Sequence, residues 1–237
     1  MRKLAKLLRL LRKPAYWKGL RHGVAATVEH NAFLRSHPYA TMIDAGANRG
    51  QFSLAAHAER RDATIIAFEP LPHLVTTFEK IFGKSDPVRV MNLALGSQAG
   101  EAAIHVSRRQ DSSSLLPIGK LQTQIFPGTE EAAVLKVCVA KLDDVLNVSE
   151  LAKPVLLKID VQGFELELLK GAEKSLTNID SIYMELSFVP LYDGQPLAHE
   201  VVNWLAVRGF GLAGVYHVAT SKDGKAVQAD IHFRHID

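Results

Sequence analysis

Short apolar runs ending on an acidic or amide residue recur along this chain, and most lead into a stretch with helical spacing. Met42 and Ile43 run into Asp44, and Phe52, Leu54, Ala55 and Ala58 follow at helical intervals. Ala63–Phe68 ends at Glu69, and Pro87–Asn92 reads as a third strand leading into Ala94. Glu101–Ser107 alternates as an accessory strand, with Val134–Leu142 as its returning partner and a short helix opening at Asp143 and Asp144. Pro154–Ile159 has the composition of a buried parallel strand and ends at Asp160. The helix after it carries Phe164, Leu168, Leu169, Ala172 and Leu176 on one face, despite Gly171 inside it. Ser181–Met184 ends at Glu185, a helix carries Val201, Val202, Leu205 and Val207, and Leu212–Val218 and Ala226–Phe233 flank the hairpin signal Asp223-Gly224. This alternation predicts an α/β fold with a doubly wound parallel sheet, to which the last hairpin adds an antiparallel strand. Between Arg108 and Gly128 periodicity is lost and Ser, Pro and Gly gather, as in a functional loop.

The chain has 237 residues, 47% hydrophobic and 22% charged, enough for one domain with a full core. The lone cysteine, Cys138, rules out an internal disulfide and is expected to be a buried, inert thiol. The formal charge of +3 is unevenly spread: residues 1–22 hold eight Lys or Arg and no acid. There Leu4, Leu7, Leu8 and Leu11 share one helix face, opposite Arg2, Lys3, Lys6, Arg9 and Lys13, and Pro14 ends the pattern. A basic amphipathic helix over residues 1–13 suits either peripheral contact with anionic lipid or packing on the domain or on a second copy in a homo-oligomer. Basic charge without interleaved aromatics makes no case for nucleic acid. The organisation expected is a basic helical extension, residues 1–36, ahead of a domain over residues 37–237. With no membrane-spanning run and no secretory leader, a cytoplasmic protein is expected, with the inner face of the membrane as its one peripheral alternative.

The chemistry lies at the strand ends. After Asp44 the chain reads Gly46-Ala-Asn-Arg-Gly50 between a strand and a helix, where open α/β sheets bind nucleotides. Glu69, 19 residues beyond Gly50, is placed to accept hydrogen bonds from both hydroxyls of a ribose. A dinucleotide loop would carry glycine where Asn48 stands, and Asp44 would repel a diphosphate but attract an ammonium. S-adenosylmethionine (SAM) has the ribose and the ammonium without the phosphates.

The motifs Asp44-Ala-Gly-Ala-Asn-Arg-Gly-Gln-Phe52, Ala67-Phe-Glu-Pro70, Leu157-Lys-Ile-Asp-Val-Gln-Gly-Phe-Glu165 and Leu169-Lys-Gly-Ala172 stand in order along residues 29–235. With Ser112-Ser-Ser-Leu115, Lys141-Leu-Asp-Asp144 and Tyr183-Met-Glu-Leu186, this chain resembles the FkbM-type SAM-dependent methyltransferases. The resemblance implies a seven-stranded class I methyltransferase (Rossmann-like) sheet with an antiparallel last strand. It also implies O-methylation of a small-molecule or glycan hydroxyl acceptor. Carried onto this chain, Asp44, Gly46 and Asn48 would surround the methionine part of SAM, Glu69 would hold the ribose, and Asn92 and Ala94 would lie near the adenine. Gln162 stands where the family often has an acid.

An alcohol needs help to attack a sulfonium methyl at neutral pH. Asp160 is the leading candidate base, Lys158 lies on the same strand face to keep it ionised, and Glu185 ends the neighbouring strand. A buried Lys158–Asp160 ion pair is the plain structural alternative, and Glu165 suits its own helix start. No metal site is predicted: the ten histidines show no ligand spacing, and Asp160 with Glu185 lacks a third ligand. His217 is a candidate base or simply a surface histidine. The competing functions are a nicotinamide-dependent oxidoreductase, disfavoured by Asn48 and by the lack of a Tyr-x-x-x-Lys pair, and a SAM-binding module without catalysis.

Overall fold

A computed structural model describes residues 10–11, 13–83 and 86–236. Seven strands form the main sheet: β1 (Thr41–Ala45), β2 (Thr64–Phe68), β3 (Val88–Met91), β7 (Val155–Ile159), β8 (Ser181–Ser187), β9 (Phe210–Thr220) and β10 (Ala226–His235). Their order is β3-β2-β1-β7-β8-β10-β9. The first five are parallel, and β10 runs antiparallel to both β8 and β9. This is the expected doubly wound, class I methyltransferase sheet with an antiparallel last strand. The accessory pair is separate: β4 (Ala94–Leu95), β5 (Gly100–Ser107) and β6 (Glu131–Ala140) make a three-stranded sheet of their own.

Alternate residues of the parallel strands feed two cores, which is why those strands read as unbroken apolar runs. Ile43, Ile66, Leu157, Ile182 and Met184 face one side, while Met42, Ile65, Leu156 and Tyr183 face the other. The second side is covered by α1 (Pro14–Arg21), α2 (Asn31–Ser36) and α3 (Gln51–Glu59), and α4 (Pro72–Ile81) adds Phe78 and Ile81 to it. Proline opens both α1 and α4, where a missing N–H costs nothing. α1 crosses α3 closely, since a Cβ on Gly19 would lie 2.3 Å from Leu54 Cδ2. Tyr16, Val24, Ala26, Phe33 and Leu34, all assigned above to an extension, are thus buried in the same core as Met42.

Three sequence expectations change. The helix after β7, α7 (Glu165–Lys170), stops at Gly171 instead of reaching Leu176. A Cβ on Gly171 would lie 1.9 Å from the Gly96 carbonyl, and this close approach of backbones breaks the helix. Cys138 is exposed, because Val137 and Val139 take the inward positions of β6. Leu4, Leu7 and Leu8 of the proposed leucine face lie outside the described residues; Leu11 is half-exposed, while Leu10, off that face, is buried. No helix among the described residues is long and apolar enough to cross a membrane. The remaining helices are α5 (Lys120–Ile125) and α6 (Leu142–Val145) in the connections, and α8 (Ala198–Ala206) beside β9.

Candidate functional site

A cavity of about 420 Å³ opens at the carboxyl ends of β1, β2, β7 and β8, the crevice where this sheet class takes ligands. Its floor is the β1–α3 loop. Gly46 and Ala47 donate backbone N–H bonds to the Phe68 carbonyl, both 3.0 Å. Gly46 has φ +78°, and a Cβ there would lie 1.8 Å from the Asp160 carbonyl oxygen, so both conformation and space demand glycine. Asn48 is also left-handed, at φ +50°, which turns its backbone N–H onto Glu69 Oε2 at 2.8 Å. Its side-chain oxygen meanwhile accepts from Arg49 N and Gln51 Nε2 at the start of α3.

Glu69 Oε1 accepts from Leu71 N at 2.9 Å, so each carboxylate oxygen takes one backbone N–H and keeps a further lone pair. Burial pushes the Glu69 carboxyl up to about 7, with the two N–H bonds and Lys158 pulling the other way. Glu69, Gly46, Asn48 and Ala94 all line the cavity, the last within an apolar wall of Leu71, Leu93, Leu95 and Phe164.

Two expected binding residues stand elsewhere. Asp44 is fully buried and outside the cavity lining: its Oδ2 accepts from Ser53 Oγ at 2.6 Å, and its Oδ1 lies 3.0 Å from Lys158 Nζ. Asn92 also lies outside the lining, where its amide donates to the Glu69 and Pro70 carbonyls, both 2.9 Å, and fixes the turn carrying Glu69.

The end of β7 supplies the charged part of the wall. Lys158 pairs first with Asp44; its distance to Asp160 Oδ2 is 3.7 Å, and it donates to the Gly46 carbonyl at 3.3 Å. Burial opposes its charge, but Asp44 and Asp160 outweigh that and hold its pKa above the usual lysine value. Gln162, left-handed at φ +55°, donates one amide N–H to Asp160 Oδ1 at 2.6 Å and the other to Glu185 Oε2 at 3.1 Å. Its own oxygen sits 2.8 Å from the Tyr192 hydroxyl, so the amide has a single orientation. Gln228 Nε2 takes the other oxygen of Glu185, and burial together with Asp160 and Asp230 pushes that carboxyl well up. Asp160 is the more open of the two, its side chain 39% exposed. Glu165 lies outside the cavity lining and accepts from Gly163 N at 2.9 Å beside the start of α7, as its plain alternative expected.

The serine-rich connection after β5 closes one side. Ser114 Oγ donates to the Gln162 carbonyl at 2.6 Å, and the Tyr192 hydroxyl lies 3.0 Å from the Ser112 carbonyl. Arg109 to Leu115, with Gln122 and Phe126, thereby form a cavity wall.

Sequence reasoning missed the group facing this wall. His30, His217 and Asp230 line the cavity together, with His217 Nδ1 2.8 Å from Asp230 Oδ2. His217 was read singly, and His30 and Asp230 lie about 200 residues apart, with no spacing to join them. The one local signal was His217 itself, near the end of the strand read over Leu212–Val218.

The model of the methyltransferase FkbM domain matches residues 44–212. The chain is 26% identical over 186 residues to 2-O-methyltransferase NoeI of Sinorhizobium fredii, covering 75% of this chain and 76% of that protein. It is 29% identical over 147 residues to hexuronic acid methyltransferase AglP of Haloferax volcanii, covering 60% of this chain and 54% of that protein. Among solved structures, magnesium protoporphyrin IX methyltransferase (ChlM) from Synechocystis PCC 6803 aligns at a TM-score of 0.46 and 12% identity, over 89% of this chain and 78% of that one.

Proposed function

Because the chain belongs to the FkbM methyltransferase family, we propose that it transfers the methyl group of SAM to a hydroxyl oxygen of a sugar, glycan or related natural product. The observation that carries this reading is the Glu69 carboxylate, gripped by two backbone N–H groups with free lone pairs at the end of a β-strand. Such a group suits a vicinal diol, and a ribose supplies one. The printed names of the relatives, a 2-O-methyltransferase and a hexuronic acid methyltransferase, support oxygen as the target atom and a sugar-like acceptor.

In this reading Glu69 holds the ribose, and Gly46 and Asn48 let the backbone lie against the methionine part. Ala94 with Leu71 and Leu93 forms the apolar side for the adenine. Asp44 acts at one remove, by keeping Lys158 charged and in place. Bound SAM supplies the electrophilic methyl carbon. The acceptor lies against the polar wall, with Asp160 taking hydrogen bonds from its hydroxyls and receiving the proton as the oxygen attacks. Lys158 lies 3.7 Å from Asp160 as its cationic neighbour, and Gln162, held by Glu185, fixes the Asp160 carboxylate in direction. Alignment of the attacking oxygen with the methyl–sulfur bond is then the main catalytic contribution of this wall.

Incubation with labelled SAM and a panel of monosaccharides, uronic acids and lipid-linked glycans tests this, with mass spectrometry locating the methyl group. Methyl ethers on oxygen are expected. Titration with SAM and NAD separates the oxidoreductase alternative, which requires NAD to bind and SAM not to. Tight SAM binding with no transfer to any hydroxyl would favour a binding module instead.

A further inference from the structure

The group formed by His30, His217 and Asp230 is not used by the methyl-transfer reading, and its geometry is unusual. One ligand atom from each, a ring nitrogen of either histidine and a carboxylate oxygen of Asp230, lies within 4.8 Å of the others. The separations to Asp230 Oδ2 are 2.8 Å from His217 and 3.7 Å from His30. The Tyr183 hydroxyl completes a fourth corner, 3.1 Å from His30 Nδ1, 3.5 Å from His217 Nδ1 and 3.2 Å from Asp230 Oδ2. Two ligands bound tetrahedrally at zinc distances stand about 3.4 Å apart. The corners are therefore spaced like a coordination shell. Hydrogen bonds account for every edge named except the 3.7 Å one between His30 and Asp230.

The backbone is bent to build this corner. Between Gln228 and Asp230 the register of β10 against β9 shifts, so that Ala219 pairs with Gln228 and Tyr216 with Asp230. The extra residue on β9 is a bulge beside His217, which itself adopts φ +45°. A bulge re-aims one side chain out of the strand's alternation, and here His217 and Asp230 both reach the cavity from adjacent strands. Charge also suits a cation. Asp160 and Glu29 line the same cavity, and its Lys and Arg are both engaged with carboxylates, Lys158 with Asp44 and Arg109 with Asp111.

We propose that His30, His217 and Asp230 bind a divalent transition-metal ion of the zinc class at the acceptor end of the cavity. Two imidazoles and one carboxylate suit such an ion better than magnesium, which prefers an all-oxygen shell. With the Tyr183 hydroxyl at the fourth corner, a five-coordinate ion keeps one position open for a substrate oxygen. On the methyl-transfer reading, on which only this role rests, the open position takes the acceptor hydroxyl and makes it more acidic. The proton then leaves to Asp160, the oxygen–carbon bond forms, and the carbon–sulfur electron pair stays with sulfur.

The test uses the full chain, stripped with a chelator and dialysed against Zn²⁺ and, separately, Co²⁺. One bound equivalent is expected, with an intense visible Co²⁺ spectrum of a four- or five-coordinate N/O site. Asp230→Asn and His217→Gln should each weaken binding a hundredfold or more, while His105→Gln, at the exposed His105–Glu131 pair, should leave it unchanged. Absence of a stoichiometric ion, or equal affinity in all three variants, overturns the site. SAM titration of the same samples keeps the two readings apart. SAM bound without metal sinks only the metal site, and metal bound without SAM sinks only the methyl-transfer reading.

Discussion

The side-chain amide of Gln162 donates to Glu185 across two strand ends at 3.1 Å, using the hydrogen that its other N–H leaves free after reaching Asp160. Two carboxylates thus share one neutral donor in a half-buried place. Gln162→Glu removes both donors and adds a third negative charge. At pH 8 the variant should lose about 2–3 kcal/mol of stability, the cost of two lost donors and a third like charge beside the carboxylates. Part of that loss should return at pH 5, where protonation relieves the repulsion. Urea melts at the two pH values measure it, and a pH-independent difference would contradict the arrangement.

Glu69 should couple SAM binding to protons. Its carboxyl ionises near 7 in the free protein, and ribose hydroxyls donate better to the ionised form. Binding therefore lowers that pKa and releases a proton. Affinity should tighten as pH rises from 5 to 7, by at most about tenfold per unit, and level off above 8. The effect on folding has the opposite sign. Because the folded value lies above the usual 4.5, the stability present at low pH is lost as pH rises through 7. Glu69→Gln should weaken SAM binding by about 1.5–3 kcal/mol and flatten its pH profile. Calorimetry across pH checks both, and a profile unchanged in Glu69→Gln would place the linked proton elsewhere.

Gly46→Ala should fail to build the cofactor loop. The added methyl meets the Asp160 carbonyl at 1.8 Å, and neither partner is a flexible side chain. A loss of about 3 kcal/mol or more is expected from overpacking and the left-handed backbone together. A melting temperature within a degree of the parent would refute the close approach of β1 and β7.

Tyr16 tests whether α1 belongs to the domain. It is buried, and its hydroxyl accepts from Asn31 Nδ2 at 2.9 Å. Tyr16→Ala should cost about 3–5 kcal/mol, and Tyr16→Phe about 1–2 from the stranded amide. Denaturant midpoints read both. No loss in either variant would make α1 a loosely attached arm.

What could be read from the sequence was whatever depends on neighbours along the chain. Gly46, Asn48 and Glu69 stand where the strand–loop–helix spacing put them, and Asp223-Gly224 closes the hairpin as its residue types require. Contacts between distant segments were not legible. Asp44 looked like a cavity residue because it ends an apolar run, but Lys158, 114 positions later on the adjacent strand, draws it inward. Cys138 sits in an apolar run that turns out to be the central strand of a small sheet with one face open. The Gly171 break depends on Gly96, and the meeting of His30, His217 and Asp230 depends on a bulge that no periodicity announces.

The position of β10 sets an order of assembly. It follows β9 in the chain, yet it stands sixth in the sheet, between β8 and β9. While a ribosome still holds those residues, β9 has no strand to pair with and β8 remains an open edge. A nascent chain at that stage can already shape the loop around Gly46 and Glu69, whose partners are all upstream. It still lacks Gln228 and Asp230, and with them one side of the acceptor wall. The two halves of the cavity are therefore completed at different times, and the acceptor half comes last.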